Sequence, residues 1–478
     1  MPENEVSKHP RRVMGFRDLV LFYIVTGISL RWIATAATAG PSAVVIWLMA
    51  LCAFYVPLAI SVMELTSRYP QEGGLYVWTK RAFGDFSGFL CGWMYWTSNL
   101  PYFPTILYFA ASSALYMGPP SWRHLSGSKT YFITFALCGI LLGTVLNVLG
   151  LNIGKWLHNV GAIGTWVPVL ILYGIGAACW WNFGSATSFT ASNMVPRAHF
   201  QDVLFWATIV FALGGSEAAS FMGDEIENPR RNMPRALLIG GIVVTTSYIL
   251  GSVAMLTALP ASEVSGLEGI MQAISTAAGR IGLGALGPLA ALLIVISNVG
   301  TVGAWFAACA RIPFVAGIDR YLPAAFGRVH PRYKSPYVAL IVQAVFAIIF
   351  TFLGQAGASV YGAYETLVSM GIITYFIPYM FLFASLIRFQ REPAGAETWR
   401  IPGGKTAAVL IGALGFITSA VTIVLSLAPP SEEPHKVLAV AKIVGLTGIL
   451  IVAGIAIFYW RRRQQRRAES QPGPVSRA

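Results

Sequence analysis

The chain has 478 residues, of which 56% are hydrophobic and only 11% charged, and its formal net charge is +13. Soluble domains carry about 25% charged residues, so this composition excludes an ordinary soluble enzyme or binding module. The basic surplus falls in short clusters between apolar runs, which points to a lipid bilayer as partner and not to nucleic acid.

In chain order, residues 1–18 form a polar N-terminal segment. The apolar run behind Arg17 is too long for the core of a cleavable signal peptide. A membrane-crossing helix needs about 20 mainly apolar residues. Twelve stretches qualify: 19–39, 42–63, 86–117, 131–150, 156–181, 203–222, 236–259, 285–310, 336–353, 360–387, 406–428 and 437–460. The expected organisation is therefore an all-α transmembrane domain over 19–460, followed by a basic tail over 461–478 expected to be disordered. Gly40 and Pro41 make a tight external turn between the first two spans. An even number of spans puts both termini on one side. With that side cytoplasmic, internal segments hold 26 of the 33 Lys and Arg. This matches the positive-inside rule and implies a multi-pass protein of the cell membrane.

Four formally charged residues fall within these spans: Arg31, Glu217, Glu365 and Lys442. Lys442 lies near a span end and can snorkel, and Glu365 is one turn into its helix, where an interfacial or structural role suffices. Arg31 is twelve residues into the first span, about 18 Å deep at 1.5 Å per residue, and Glu217 is similarly central in the sixth. Charges at that depth point to function or to a buried pair. Both sit beside weak points in their helices, Thr26-Gly27-Ile28-Ser29 and Gly214-Gly215-Ser216-Glu217. Either motif alone is equally well read as close helix packing. Together they occupy the opening spans of two five-helix halves, the pattern of interrupted helices that marks a transporter site.

Three cytoplasmic stretches carry a family resemblance. They are Glu64-Leu65-Thr66-Ser67-Arg68-Tyr69-Pro70 with Glu72-Gly73-Gly74; Glu225-Ile226-Glu227-Asn228-Pro229-Arg230-Arg231-Asn232-Met233-Pro234; and the run from Asp319-Arg320-Tyr321-Leu322-Pro323 to His330-Pro331. In these the chain resembles the amino acid–polyamine–organocation superfamily of transporters. The string Ile28-Ser29-Leu30-Arg31 and span three, with Asn99 to Leu107, are closest to bacterial glutamate/γ-aminobutyrate antiporters. The resemblance implies a LeuT-like fold, with spans 1–5 and 6–10 inverted and two helices appended. It implies a substrate site at the breaks, formed by Thr26, Gly27, Ile28, Ser29, Arg31, Gly214, Gly215 and Ser216, with Phe211 as aromatic gate and Trp305 facing substrate. Glu217 is assigned to gating or proton coupling. Thr165 falls where proton-coupled relatives carry a lysine in place of a sodium ion, and Ala307-Ala308-Cys309 lacks the hydroxyl pair of sodium-coupled ones. Exchange of amino acids, with or without a proton, is the expected function. Polyamine transport is the alternative. The first break departs from the family pattern in having a single glycine, and Ser216 replaces the usual apolar residue before the glutamate.

Two other classes fare worse. An intramembrane enzyme needs a catalytic constellation, yet all six histidines lie in tails, loops or span ends. The five cysteines sit in apolar runs without metal-ligand spacing, and no cofactor is expected. Gly282-Leu283-Gly284-Ala285-Leu286-Gly287 matches a dinucleotide pattern but follows no strand. A channel lacks any filter-like repeat. Arg31 and Glu217 leave two arrangements open: an ion pair holding spans one and six together, or Arg31 taking the side-chain carboxylate of an acidic substrate while Glu217 gates.

Overall fold

The structure is a computed structural model that describes residues 15–69, 73–149, 151–196, 200–218, 220, 226–315, 321–333, 335–393, 395, 398–429 and 435–469. Of these, the side chains of 25–26, 151–163, 200–204, 229, 311–315, 324 and 468–469 are not described. Parts of all three family stretches, including Pro70, Glu225 and Asp319, lie outside the described residues.

The described residues contain helices and no strand. The chain opens with α1 (Phe16–Gly27) and α2 (Leu30–Ala37), then α3 (Ala43–Ala50), a π-helical turn (Leu51–Tyr55) and α4 (Val56–Arg68). Next come α5 (Gly74–Phe83), α6 (Asp85–Thr97), α7 (Asn99–Ala114), α8 (Lys129–Leu149) and α9 (Leu151–Phe183). The rest are α10 (Ala191–Met194), α11 (Phe200–Ala212), α12 (Pro229–Ala258), α13 (Gly269–Arg280), α14 (Leu286–Val315), α15 (Tyr337–Gln355), α16 (Val360–Phe389), α17 (Gly404–Leu425) and α18 (Lys436–Glu469).

Among the described residues, nine helical segments are long and apolar enough to cross a membrane. The expected spans missing from those nine are the first, third and sixth. Each is divided or short: α1 and α2 part at Ile28-Ser29, α6 and α7 meet at Ser98, and α11 stops at Ala212. Outer faces are apolar. Along α17, Leu410, Ile417 and Val424 recur every seventh residue at 65, 59 and 64% exposure, a stripe that only a hydrocarbon solvent accommodates. The chain is a multi-pass membrane protein.

Small residues let the helices approach. A Cβ on Gly164 of α9 would lie 2.7 Å from the Leu293 carbonyl oxygen of α14. One on Gly415 of α17 would lie 2.2 Å from the Phe383 ring of α16. Without a hydrophobic driving force between helices in lipid, such close backbone contact is what holds them together. Lys442 donates to the Gly354 carbonyl at 2.9 Å, a backbone partner at the end of α15. The first part of the tail differs from the expectation: α18 continues past Trp460 to Glu469, because Arg461 to Arg467 and the two glutamines among them are good helix formers extending an already nucleated helix, and residues 470–478 lie outside the described residues.

Candidate substrate site

The first break is a two-residue extended step. Ile28 (φ −102°, ψ 126°) ends α1, and Ser29 (φ −134°, ψ 123°) opens α2. Such a step orphans backbone groups that lipid cannot satisfy. Tyr248 of α12 serves two of them with one hydroxyl. It donates to the Gly27 carbonyl at 2.7 Å and accepts from the Ser29 amide at 3.1 Å. Its ring is stacked on Trp47 at 4.4 Å with planes 1° apart, and the Trp47 indole donates to Ser252, which donates to the Tyr248 carbonyl.

At the second weak point a tyrosine hydroxyl again meets a freed backbone group. After α11 the chain leaves the helix at Gly214 and Gly215, and Gly215 has φ +103°, a conformation that glycine alone adopts without penalty. The Gly215 amide donates to the Tyr379 hydroxyl at 2.9 Å, and that hydroxyl donates to Glu217 Oε2 at 2.7 Å. Glu217 Oε1 accepts from Tyr375 at 2.7 Å and from Tyr95 at 3.0 Å. The carboxylate is fully buried and receives three phenolic hydroxyls from α6 and α16.

Between the breaks lies a cavity. Gly27, Ser29 and Trp32 line it from the first break, and Phe211, Ala212, Gly214, Gly215 and Ala218 from the second. Ser98, Asn99 and Tyr102 come from the α6–α7 junction, with Tyr248, Trp305, Gly371 and Tyr375 completing the wall. Phe211 bridges Trp32 and Tyr375, edge-on to each at 5.4 Å, and so forms an aromatic lid. The Trp305 indole donates to Asn99 Oδ1 at 2.8 Å, and Asn99 in turn donates to the Tyr95 carbonyl at 2.9 Å, which fixes the tryptophan against the cavity.

Arg31 stands one layer behind. It is fully buried, with its guanidinium 4.1 Å from the Trp32 ring centre and 4.5 Å from that of Tyr102, both cavity walls. Nη1 donates to Thr105 at 3.0 Å, while Nε and Nη2 have no hydrogen-bond partner. The ion pair weighed above is not formed. Among the described residues the ion pairs are Arg68–Glu64 and Lys80–Asp85, and Glu217 is satisfied by hydroxyls instead.

The structure thus brings Gly27, Ser29, Phe211, Gly214, Gly215 and Trp305 to one cavity, with Arg31 behind Trp32 and Tyr102 and Glu217 behind Tyr375. Ile28 is buried away from it, Ser216 is buried without a partner for its hydroxyl, and the Thr26 side chain is outside the described residues. Thr165 is elsewhere, its hydroxyl 2.5 Å from that of Ser297 on α14. Glu365 lines a separate outer cavity with Trp32 and Tyr361. The tyrosines were not named from sequence. Their signal was spacing: Tyr95, Asn99 and Tyr102 recur at i, i+4, i+7 across the α6–α7 junction, and Gly371, Tyr375 and Tyr379 at i, i+4, i+8 on one face of α16.

Comparison with known proteins bears on this arrangement. Residues 14–453 match the amino acid permease family. The serine/threonine exchanger of Bacillus subtilis is 27% identical over 71% of this chain and 73% of its own. A protein described as a probable agmatine/putrescine antiporter of Lactococcus lactis is 22% identical over 83% of this chain and 84% of its own. The glutamate/gamma-aminobutyrate antiporter of the same species is 23% identical over 79% and 76%. The family match covers nearly the whole chain, both helix breaks included, so the chain belongs to the amino acid permease family of the amino acid–polyamine–organocation superfamily and is a transporter.

Proposed function

We propose that the protein exchanges amino acids across the cytoplasmic membrane by alternating access, with twelve spans, an inverted five-plus-five repeat and both termini in the cytoplasm. One observation carries the reading: the α1–α2 break and the end of α11 face a single aromatic-walled cavity, and at each a tyrosine hydroxyl from a neighbouring helix hydrogen-bonds the freed backbone. The first turn of α2 offers backbone amides and a positive helix end to an α-carboxylate. The C-terminal ends of α1 and α11 offer carbonyls to an α-ammonium. Phe211 and Trp32 close the cavity on one side. The cluster of Tyr95, Tyr375 and Tyr379 on Glu217 closes it on another, and a proton on Glu217 removes the charge that these hydroxyls converge on, loosening that closure.

The relatives named above carry neutral, cationic and acidic compounds, so the substrate's charge must be sought in the site. Arg31 supports an acidic amino acid. Its charge is buried behind two cavity walls, no carboxylate is paired to it among the described residues, and its Nε and Nη2 nitrogens are without a hydrogen-bond partner. In a low-dielectric site that charge favours a second carboxylate and opposes the second ammonium of a diamine. Proteoliposomes loaded with unlabelled amino acids and given labelled glutamate, serine or putrescine test this. Glutamate uptake accelerated by internal amino acid is the expected outcome. Putrescine exchange that exceeds it and is indifferent to Arg31→Met would overturn the acidic reading.

A further inference from the structure

A second binding feature lies outside the transport cavity. Between α4 and the first turns of α12 runs a groove of about 550 Å³. Val56, Ala59, Ile60 and Met63 form one wall, spaced so that they share a single face of α4, and Pro234 and Leu238 form the other. Leu238 is 63% and Val56 41% exposed, so the groove opens sideways onto the lipid-facing surface and not into the transport cavity. Its deep end is shut by Tyr55, which the π-helical turn carries onto α12. The Tyr55 hydroxyl donates to the Leu237 carbonyl at 2.7 Å and its ring lies over Gly241.

The other end is basic. Arg230, Arg231 and Arg235 line the groove where α12 begins, and all three are exposed. Arg231 and Arg235 form no ion pair among the described residues. Trp399 and Pro402 border the groove, with the Trp399 amide held by the Ser67 hydroxyl at 2.6 Å. From Arg230 to Leu238 is about 12 Å along the helix, the reach of the upper part of an acyl chain. A slot that is apolar at depth, cationic at its mouth, open to the hydrocarbon and bordered by a tryptophan matches the chemistry of a phospholipid with a negative headgroup.

We infer that this groove is a binding site for one anionic phospholipid of the leaflet on the side of the chain termini, its phosphate on Arg230, Arg231 and Arg235 and one acyl chain between α4 and α12. Only the naming of that leaflet as cytoplasmic rests on the orientation proposed above, and the test reads lipid, not transport. A soluble anion gains nothing from the apolar wall, and a zwitterionic lipid gains little from three guanidinium groups. Because α12 also carries Tyr248, a lipid seated here steadies the helix that bridges the first break.

The full-length protein, purified in detergent and offered an equal mixture of phosphatidylglycerol and phosphatidylcholine, is examined by native mass spectrometry. The expected result is selective retention of one phosphatidylglycerol. Each arginine near a membrane surface contributes roughly a fivefold factor in affinity, so replacing all three by glutamine lowers retention on the order of a hundredfold. The equally discharged R461Q/R462Q/R463Q variant of α18 retains it, which separates a built site from general basicity. L238W narrows the groove without altering charge and also loses lipid, so the inference does not depend on one variant that misfolds. Equal retention of both lipids, undiminished binding in R230Q/R231Q/R235Q, or equal loss in the α18 variant overturns it.

Discussion

Arg31 and Glu217 are both fully buried, yet their environments differ in kind. Glu217 has three hydroxyl donors, whereas Arg31 has one hydroxyl and two aromatic faces. Stacking a desolvated cation on such rings is worth about 2 kcal/mol, short of the several kcal/mol that burying a charge costs. Since the two do not pair, Arg31→Met combined with Glu217→Gln is expected to show no rescue: the two losses in melting temperature and transport add. Recovery in the double variant would restore the ion-pair arrangement. Glu217→Gln by itself turns one oxygen into a donor facing the Tyr hydroxyls, leaving a buried group unsatisfied at a cost of about 1–3 kcal/mol. Its expected signature is a lower melting temperature together with a flattened pH dependence of exchange, and an unaltered pH profile would remove Glu217 from the proton path. Arg31→Lys is not conservative here, because an ammonium loses the planar stacking on Trp32 and Tyr102. Selective loss of glutamate exchange relative to serine exchange is the expected outcome, measured side by side.

At the scale of elements, the two breaks use glycine for different reasons. Gly215 needs its backbone conformation: φ is +103°, and a Cβ there would meet nothing within 4 Å. Gly27 needs close approach: a Cβ would stand 2.8 Å from Val244 Cγ2 on α12. Bulk at Gly27 therefore acts first by pushing α1 off α12, and not only by blocking a ligand. Gly27→Ala should recover when combined with Val244→Ala, while Gly215→Ala, strained by about 1–2 kcal/mol, should not recover with any single space-making partner. Melting temperatures and exchange rates of these variants decide it. The bridging tyrosines make a parallel case. Tyr248→Phe leaves the Gly27 carbonyl and Ser29 amide without their shared partner. A destabilisation of about 1–3 kcal/mol is expected, read by thermal unfolding in detergent.

At the scale of the whole molecule, the proposed orientation rests on the distribution of charge, and labelling with an impermeant thiol reagent tests it. Ser121→Cys, exposed between α7 and α8, should react from outside, and Arg332→Cys, exposed between α14 and α15, should not. Ser335, in the same segment, is a poor reporter because it is buried and bonded to the Val148 carbonyl. The reverse labelling pattern would invert the proposed topology. What the sequence determined by itself was the class of solvent and the rough ends of the long helices, because a bilayer demands continuous apolar runs and leaves charge only at their ends. It also marked Gly27 and Gly215 as weak points and Arg31 and Glu217 as costly charges, since each is anomalous in its own local context. Partnership was not legible in it. That Tyr248 bridges the first break and Tyr379 meets the Gly215 amide, that Glu217 belongs to tyrosines and not to Arg31, and that Trp305 leans on Asn99 joins residues 122 to 221 positions apart. A tyrosine in an apolar helix has the same local pattern whether its hydroxyl meets a backbone break or another wall, and only the packing of the helices decides which.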